Sequence, residues 1–137
     1  MGAFDDERRA FEVRLAANFT ALPIKYENVP FPQRVTGWVD IIIISAGGGR
    51  ISVGTTVKRH RYVGNVQINI YVPEDTGTAT CRAHADTIDA IFRDQQFSDA
   101  NSGTITCRTP AYVPGDVVNG FYFGILNIPY QRDKNFS

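Results

Sequence analysis

The run Gly47 to Gly49 comes after an apolar stretch, and such a spacing invites an anion site, because glycine-rich turns can aim backbone N–H groups at a phosphate. The next residues, Arg50-Ile-Ser-Val-Gly54, are strand-like and carry neither a helix start nor the GK[ST] lysine and hydroxyl. The glycines therefore read as a turn. His60 lies inside Lys58-Arg-His-Arg61 and His84 lies between Arg82 and Asp86, and neither has a ligand or triad partner at motif spacing. No serine stands in a G-x-S-x-G context. Cys81 and Cys107 are isolated, outside any CxxC pair, and read as free thiols in a reducing compartment. No catalytic set, metal cluster or cofactor motif results, so the chain is not expected to be an enzyme.

Lys58, Arg59 and Arg61 form the one dense basic run. Its bland reading is a solvated strand end or loop; its functional one is a basic rim that meets an acidic partner or passing DNA. The 14 basic residues are matched by 14 acidic ones, which counts against affinity built on phosphate neutralisation. At 137 residues the chain reads as one domain, residues 1–137, large enough for a core of its own. The start MGAFDDERRAF lacks the basic and apolar regions of a signal peptide, and the apolar run around Trp38 to Ile44 is too short to span a bilayer. A cytoplasmic protein without membrane contact is expected.

Periodicity sets the elements that carry these residues. Phe4, Phe11, Leu15, Phe19 and Leu22 make one apolar stripe of a helix from about Asp5 to Thr20, with Asp5, Asp6 and Glu7 at the positive end of its dipole. A short strand is read at Ile24 to Tyr26. Asn28 to Pro32 cannot be regular with two prolines so close. Gly37 to Ser45 reads as a strand that pairs with Arg50 to Gly54 across a turn at Ala46 to Gly49. A long strand starts near Thr55 and includes Val63 to Val72, where Val66, Ile68, Ile70 and Val72 alternate with Asn65, Gln67, Asn69 and Tyr71. Cys81, Ala85, Ile88, Ile91 and Phe92 then recur at helical spacing between Thr80 and Arg93. Asp94 to Gly103 reads as a polar loop, and Thr104 to Thr109 and Gly120 to Tyr130 as strands joined by a loop around Tyr112 to Asp116. The expected fold is α+β: two helices packed on one face of a mainly antiparallel β-sheet, in the order α-β-β-β-α-β-β.

In such a two-layer domain the far face of the sheet should be wet, yet Trp38 to Ser45 holds four consecutive isoleucines, two on each face. Asp40 would be costly against the helices, so Trp38, Asp40, Ile42 and Ile44 are assigned to the outer face and Val39, Ile41 and Ile43 to the core. An exposed β-prone apolar run is an aggregation hazard, and burial of Ile42 and Ile44 in a subunit interface resolves it. A loop or terminus folded over the run is the alternative.

The segments YENVPFPQ (Tyr26 to Gln33), GNVQINIYVPEDTGTATCRAHADTIDAIFR (Gly64 to Arg93) and GFYFGILNIPYQR (Gly120 to Arg132), with the opening helix Phe4 to Phe19, resemble the tail terminator proteins of long, flexible-tailed bacteriophages. That resemblance implies a virion protein, assembled in the host cytoplasm, that forms a ring, typically a hexamer, on the tail tube protein at the head-proximal end. It stops tube growth and offers a surface to the head–tail connector, with DNA only in transit through its lumen. A closed ring needs two different patches per subunit. Ile42 and Ile44 are candidates for one; the loops Asn28 to Gln33 (Asn28, Val29, Pro30, Phe31, Pro32) and Ala111 to Val117 (Tyr112) are candidates for the second. Another neck or tail-completion protein, or a small nucleic-acid-binding α+β domain using Tyr71, Tyr122 and Arg61, are the other readings.

Overall fold

A computed structural model describes residues 3–31, 37–51, 58–74, 77–98 and 103–136. The elements are α1 (Ala3–Asn18), β1 (Ile24–Lys25), β2 (Trp38–Arg50), β3 (Lys58–Pro73), α2 (Thr78–Phe92), β4 (Gln96–Ser98), β5 (Thr104–Cys107), β6 (Ala111–Val118) and β7 (Phe121–Phe136). The α+β class stands, with a mostly antiparallel seven-stranded sheet ordered β1-β2-β3-β7-β5-β4, while β6 pairs with β7 off that path. β1 runs parallel to β2, and β5 and β6 share one edge of β7 end to end.

The expected order α-β-β-β-α-β-β needs correction at three places. Ala46 to Gly49 is not a turn: β2 runs through it to Arg50, with a register shift between Ser45 and Gly47. Glycine carries no strand signal of its own, and only pairing to the long β3 holds it extended. Ile51 follows β2 with its N–H on the Arg59 carbonyl at 2.8 Å, and residues 52–54 of the expected partner strand lie outside the described residues. Second, β4 forms inside the segment read as a polar loop, because Phe97 turns into the core opposite Ile105. Third, the loop expected at Ala111 to Val117 is strand β6, whose alternation Pro114, Gly115 and Asp116 obscure.

The core gathers Phe11, Leu15 and Phe19 of α1, Cys81, Ala85, Ile88 and Phe92 of α2, and the inward residues of the sheet, among them Val39, Ile41, Val66, Ile68, Ile70 and Ile128. The parity assigned to β2 holds: Val39 and Ile41 are fully buried, and Ile44 is 45% exposed. α1 lies against α2 and one end of the sheet. Phe11 meets Phe97 at 5.6 Å, Tyr130 at 4.8 Å and Phe92 at 6.0 Å, and the Arg14 Nε–H donates to the Ile91 carbonyl at 3.0 Å, a cation on the last turn of α2.

The first turn of α1 is buried on one side, while Phe4 stays exposed. Asp6 and Glu7 are both buried, Lys134 Nζ donates to Asp6 at 3.3 Å, and the Tyr130 hydroxyl donates to Glu7. Burial raises the Glu7 carboxyl above its ordinary value against the opposing pull of that hydroxyl and of Arg132. Gly64 makes room for this contact, since it stands opposite Tyr130 and a Cβ there would lie 2.6 Å from the Tyr130 oxygen.

Candidate interface surfaces

The face of β2, β3 and β7 turned away from the core is the surface available to a partner, and it falls into three zones. At the start of β2, Trp38 stacks on Tyr71 at 4.6 Å and meets Phe121 edge-on at 4.8 Å, and Tyr71 lies 5.5 Å from Phe123. Asp40 sits among them, accepting the Trp38 indole N–H at 3.1 Å and the Tyr71 hydroxyl. Burial pushes its carboxyl up, and the nearby Lys25 opposes the shift. Phe31 reaches this corner, 6.2 Å from Trp38, after a backbone reversal at Asn28 with φ 54. Asn28 and Pro30 are exposed and Val29 is 50% exposed, whereas Phe31 is half-buried. Pro32 lies outside the described residues. The loop therefore covers Trp38 and leaves Ile44 open.

The middle zone carries no charge. Ile42 faces Gln67 and Ile44 faces Asn65 across β2 and β3; Asn65 donates to Asn127 and Gln67 donates to Asn69, both at 3.0 Å. These amides bond in two pairs and leave a neutral surface beside the exposed Ile44 and Val63. The third zone is the far end of the long strands, where Lys58, Arg59 and Arg61 form the beginning of β3. Arg61 grips Asp133 through two N–H groups at 2.8 and 3.1 Å, and Arg59 stands 3.6 Å from it, holding that carboxyl below its usual range. The basic run is thus a strand end, part-neutralised from within.

This arrangement separates the features that a nucleic-acid surface needs together. Tyr71 and Arg61 are ten positions apart on one strand, roughly 33 Å at strand rise, and the ring of Tyr71 is already stacked on Trp38. Tyr122 packs against the core side instead. Tyr112 also turns inward: its hydroxyl lies 3.4 Å from the Cys81 sulfur, and Arg82 covers its ring at 4.6 Å. What β6 exposes is Val113, Val117 and Val118, at 44, 46 and 47%. The sequence hides these valines, because proline, glycine and aspartate between them give the segment the composition of a loop.

Among the described residues no three His, Cys, Asp or Glu side chains stand together as a metal set. His60 lies on β3 beside Tyr62, and His84 on α2 against Phe19 at 5.9 Å, with burial lowering its pKa. The cysteines are buried free thiols, Cys107 pushed up to about 12 by desolvation. No described helix is long and apolar enough to cross a membrane.

The family model of the phage tail terminator protein matches residues 8–120, most of the chain, including α1, β2, β3, α2 and β6. The chain belongs to the phage tail terminator family. Membership makes the terminator a structural component of a phage tail. No curated protein matches it. A solved structure that bears no functional name superposes with a TM-score of 0.75 over 96% of each chain at 20% identity, a likeness of fold.

Proposed function

We propose that this terminator assembles as a ring, a hexamer, on the last ring of tail-tube protein, where it stops tube growth and presents a docking surface to the head–tail connector. The carrying observation is the outer sheet face, whose helix-free side exposes Ile44 beside a neutral amide belt, with Ile42 half-buried next to it. Covering the 45% of Ile44 that is still exposed favours association by about 1 kcal/mol, and a ring repeats the gain at every interface. Asn28, Val29, Pro30 and Phe31 supply a second, partly pre-ordered patch, and DNA passes only through the lumen. Assembly takes place in the host cytoplasm and the ring sits at the head-proximal end of the tail.

Native mass spectrometry and negative-stain imaging of the purified protein, alone and with tail tubes, test the reading. Rings, or monomers that become rings on tube tips, are expected. A chain that stays monomeric and ignores tubes overturns it. Copurification with portal-filled heads instead of tubes would make this a neck protein.

A further inference from the structure

The arginines of the outer sheet face are not all in the basic run that opens β3. Leu126, Ile128 and Tyr130 of β7 face the core, so the alternate residues Gln131 and Asp133 face outward. Two rows cross the strands there: Gly49, Arg61, Asp133 and Thr104 form one, and Gly47, Val63, Gln131 and Thr106 the next. Arg61 and Arg59 share Asp133, at 2.8 and 3.6 Å, and their side chains are still 42 and 52% exposed. Arg108 arrives from the other side of β7. The bond from its N–H to the Pro129 carbonyl places it just past the end of β5, and its exposed guanidinium donates to the Gln131 side-chain oxygen at 2.8 Å. Three guanidiniums thus gather around one carboxylate, a concentration that the chain's equal totals of 14 basic and 14 acidic residues conceal.

The surroundings select the ligand class. Gly49, opposite Arg61, has open space where a side chain would stand, so the guanidiniums are reachable. Arg61 and Arg108 flank β7 two strand spacings apart, about 10 Å at the backbone, so they address separate charges of an extended polyanion. Val63 is the one large apolar side chain in the two rows, where a protein interface would have an apolar centre. Neither row holds an aromatic ring, where a single strand would need stacking platforms. Guanidinium, hydroxyl and amide donors without rings match the phosphate backbone of a duplex, met by charge and not by base.

We propose that Arg59, Arg61 and Arg108 form a sequence-independent contact for the phosphates of double-stranded DNA. Its place in a lumen rests on the ring reading above. Arg61 stands two outward positions along β3 from Asn65, the partner of Ile44, or about 13 Å at strand rise, which leaves room on one face for a subunit contact and a DNA contact. A contact made by charge alone has no preferred register, so a duplex can slide past it. The sequence hides the site because Arg108 is far from Lys58 to Arg61 in the chain, and only the pairing of β3 and β5 with the same strand β7 brings them together.

Fluorescence anisotropy with a short blunt DNA duplex of mixed sequence, titrated from about 20 to 200 mM NaCl, tests this. Wild type should bind at the lowest salt, with log K falling against log[salt] by about 0.9 for each phosphate engaged. Arg59→Gln with Arg108→Gln keeps Arg61 on Asp133; it should flatten that slope by about 2 and weaken binding at least about tenfold at 50 mM salt. Circular dichroism confirms its fold, and Arg108→Gln alone, with a slope change of about 1, replaces a double variant that unfolds. Lys25→Gln with Arg93→Gln removes two exposed cations from β1 and the end of α2 and should bind as wild type does. No binding by wild type at the lowest salt, a double variant that binds as wild type, or a control that weakens equally overturns the proposal. If wild type ignores the duplex while phage carrying the Arg59/Arg108 variant fail to join tails to heads, the arginines meet an acidic protein and the DNA contact is likewise overturned. Duplex binding with the expected slopes by a chain that native mass spectrometry never finds in rings, with or without tubes, upholds the arginine contact and removes the ring.

Discussion

Ile41→Lys and Ile42→Lys put the same charge on opposite faces of one strand. Ile41 is fully buried and faces Ile68 across the ladder, under the helices. A lysine there forfeits about 1.5–3 kcal/mol of side-chain burial and places an unpaired ammonium in the core at several kcal/mol more. The sum is on the order of 5 kcal/mol or above, comparable with the whole stability of a domain, roughly 5–15 kcal/mol. Ile42 lies on the outer face opposite Gln67 and is partly exposed. A lysine there lays its methylenes along the sheet and carries its charge to water, at a cost within about 1 kcal/mol, or roughly 3–5 °C in Tm. Circular dichroism melts and size-exclusion chromatography read both. Ile41→Lys should be unfolded or aggregated; Ile42→Lys should be a folded, soluble subunit that forms no ring and does not end tails. An Ile42→Lys protein that unfolds, or that still assembles normally, refutes the assignment of this face to an interface.

Phe31→Ala should lower Tm little, because the Phe31–Trp38 contact is peripheral and such a pair contributes about 0.5–1.5 kcal/mol, while assembly or tube binding weakens; a collapsed Tm would place Phe31 in the core. Gly64→Ala should cost about 1–3 kcal/mol in urea unfolding, since the new methyl strikes the Ile44 carbonyl and the Tyr130 hydroxyl that donates to Glu7; unchanged stability would show that Tyr130 is free to shift. Glu7→Gln probes the buried carboxyl. Its folded pKa is raised above 4.5, so the folded chain keeps a proton that the unfolded chain has lost, and stability from this group falls as pH rises from 4.5 through the folded value. The variant should therefore gain on wild type across that rise, and a Tm difference independent of pH would sink the argument.

The amino-acid sequence by itself determined what depends on short-range pattern. The period-2 alternation of Val66 to Val72 and the helical spacing of Cys81 to Phe92 fix which side of each element is apolar. Asp40 fixes the orientation of β2, since a carboxylate among the helices would be desolvated without a partner. The family likeness was legible in the same way, from the order and spacing of short segments. Partner choice was not, because pairing energy comes from neighbours distant in the chain. Gly47 to Gly49 carry a turn signal and are nonetheless held in a strand by Arg61 to Val63 of β3. Pro114 and Gly115 read as loop residues, yet β7 templates them into β6, which turns Tyr112 inward and three valines out. Asp6 and Glu7 fit a solvated helix start by local rules. Tertiary structure alone buried them, because the C-terminal strand brings Tyr130, Arg132 and Lys134 back against the first turn of α1, where a hydroxyl and two cations offset part of the cost of desolvating two carboxylates.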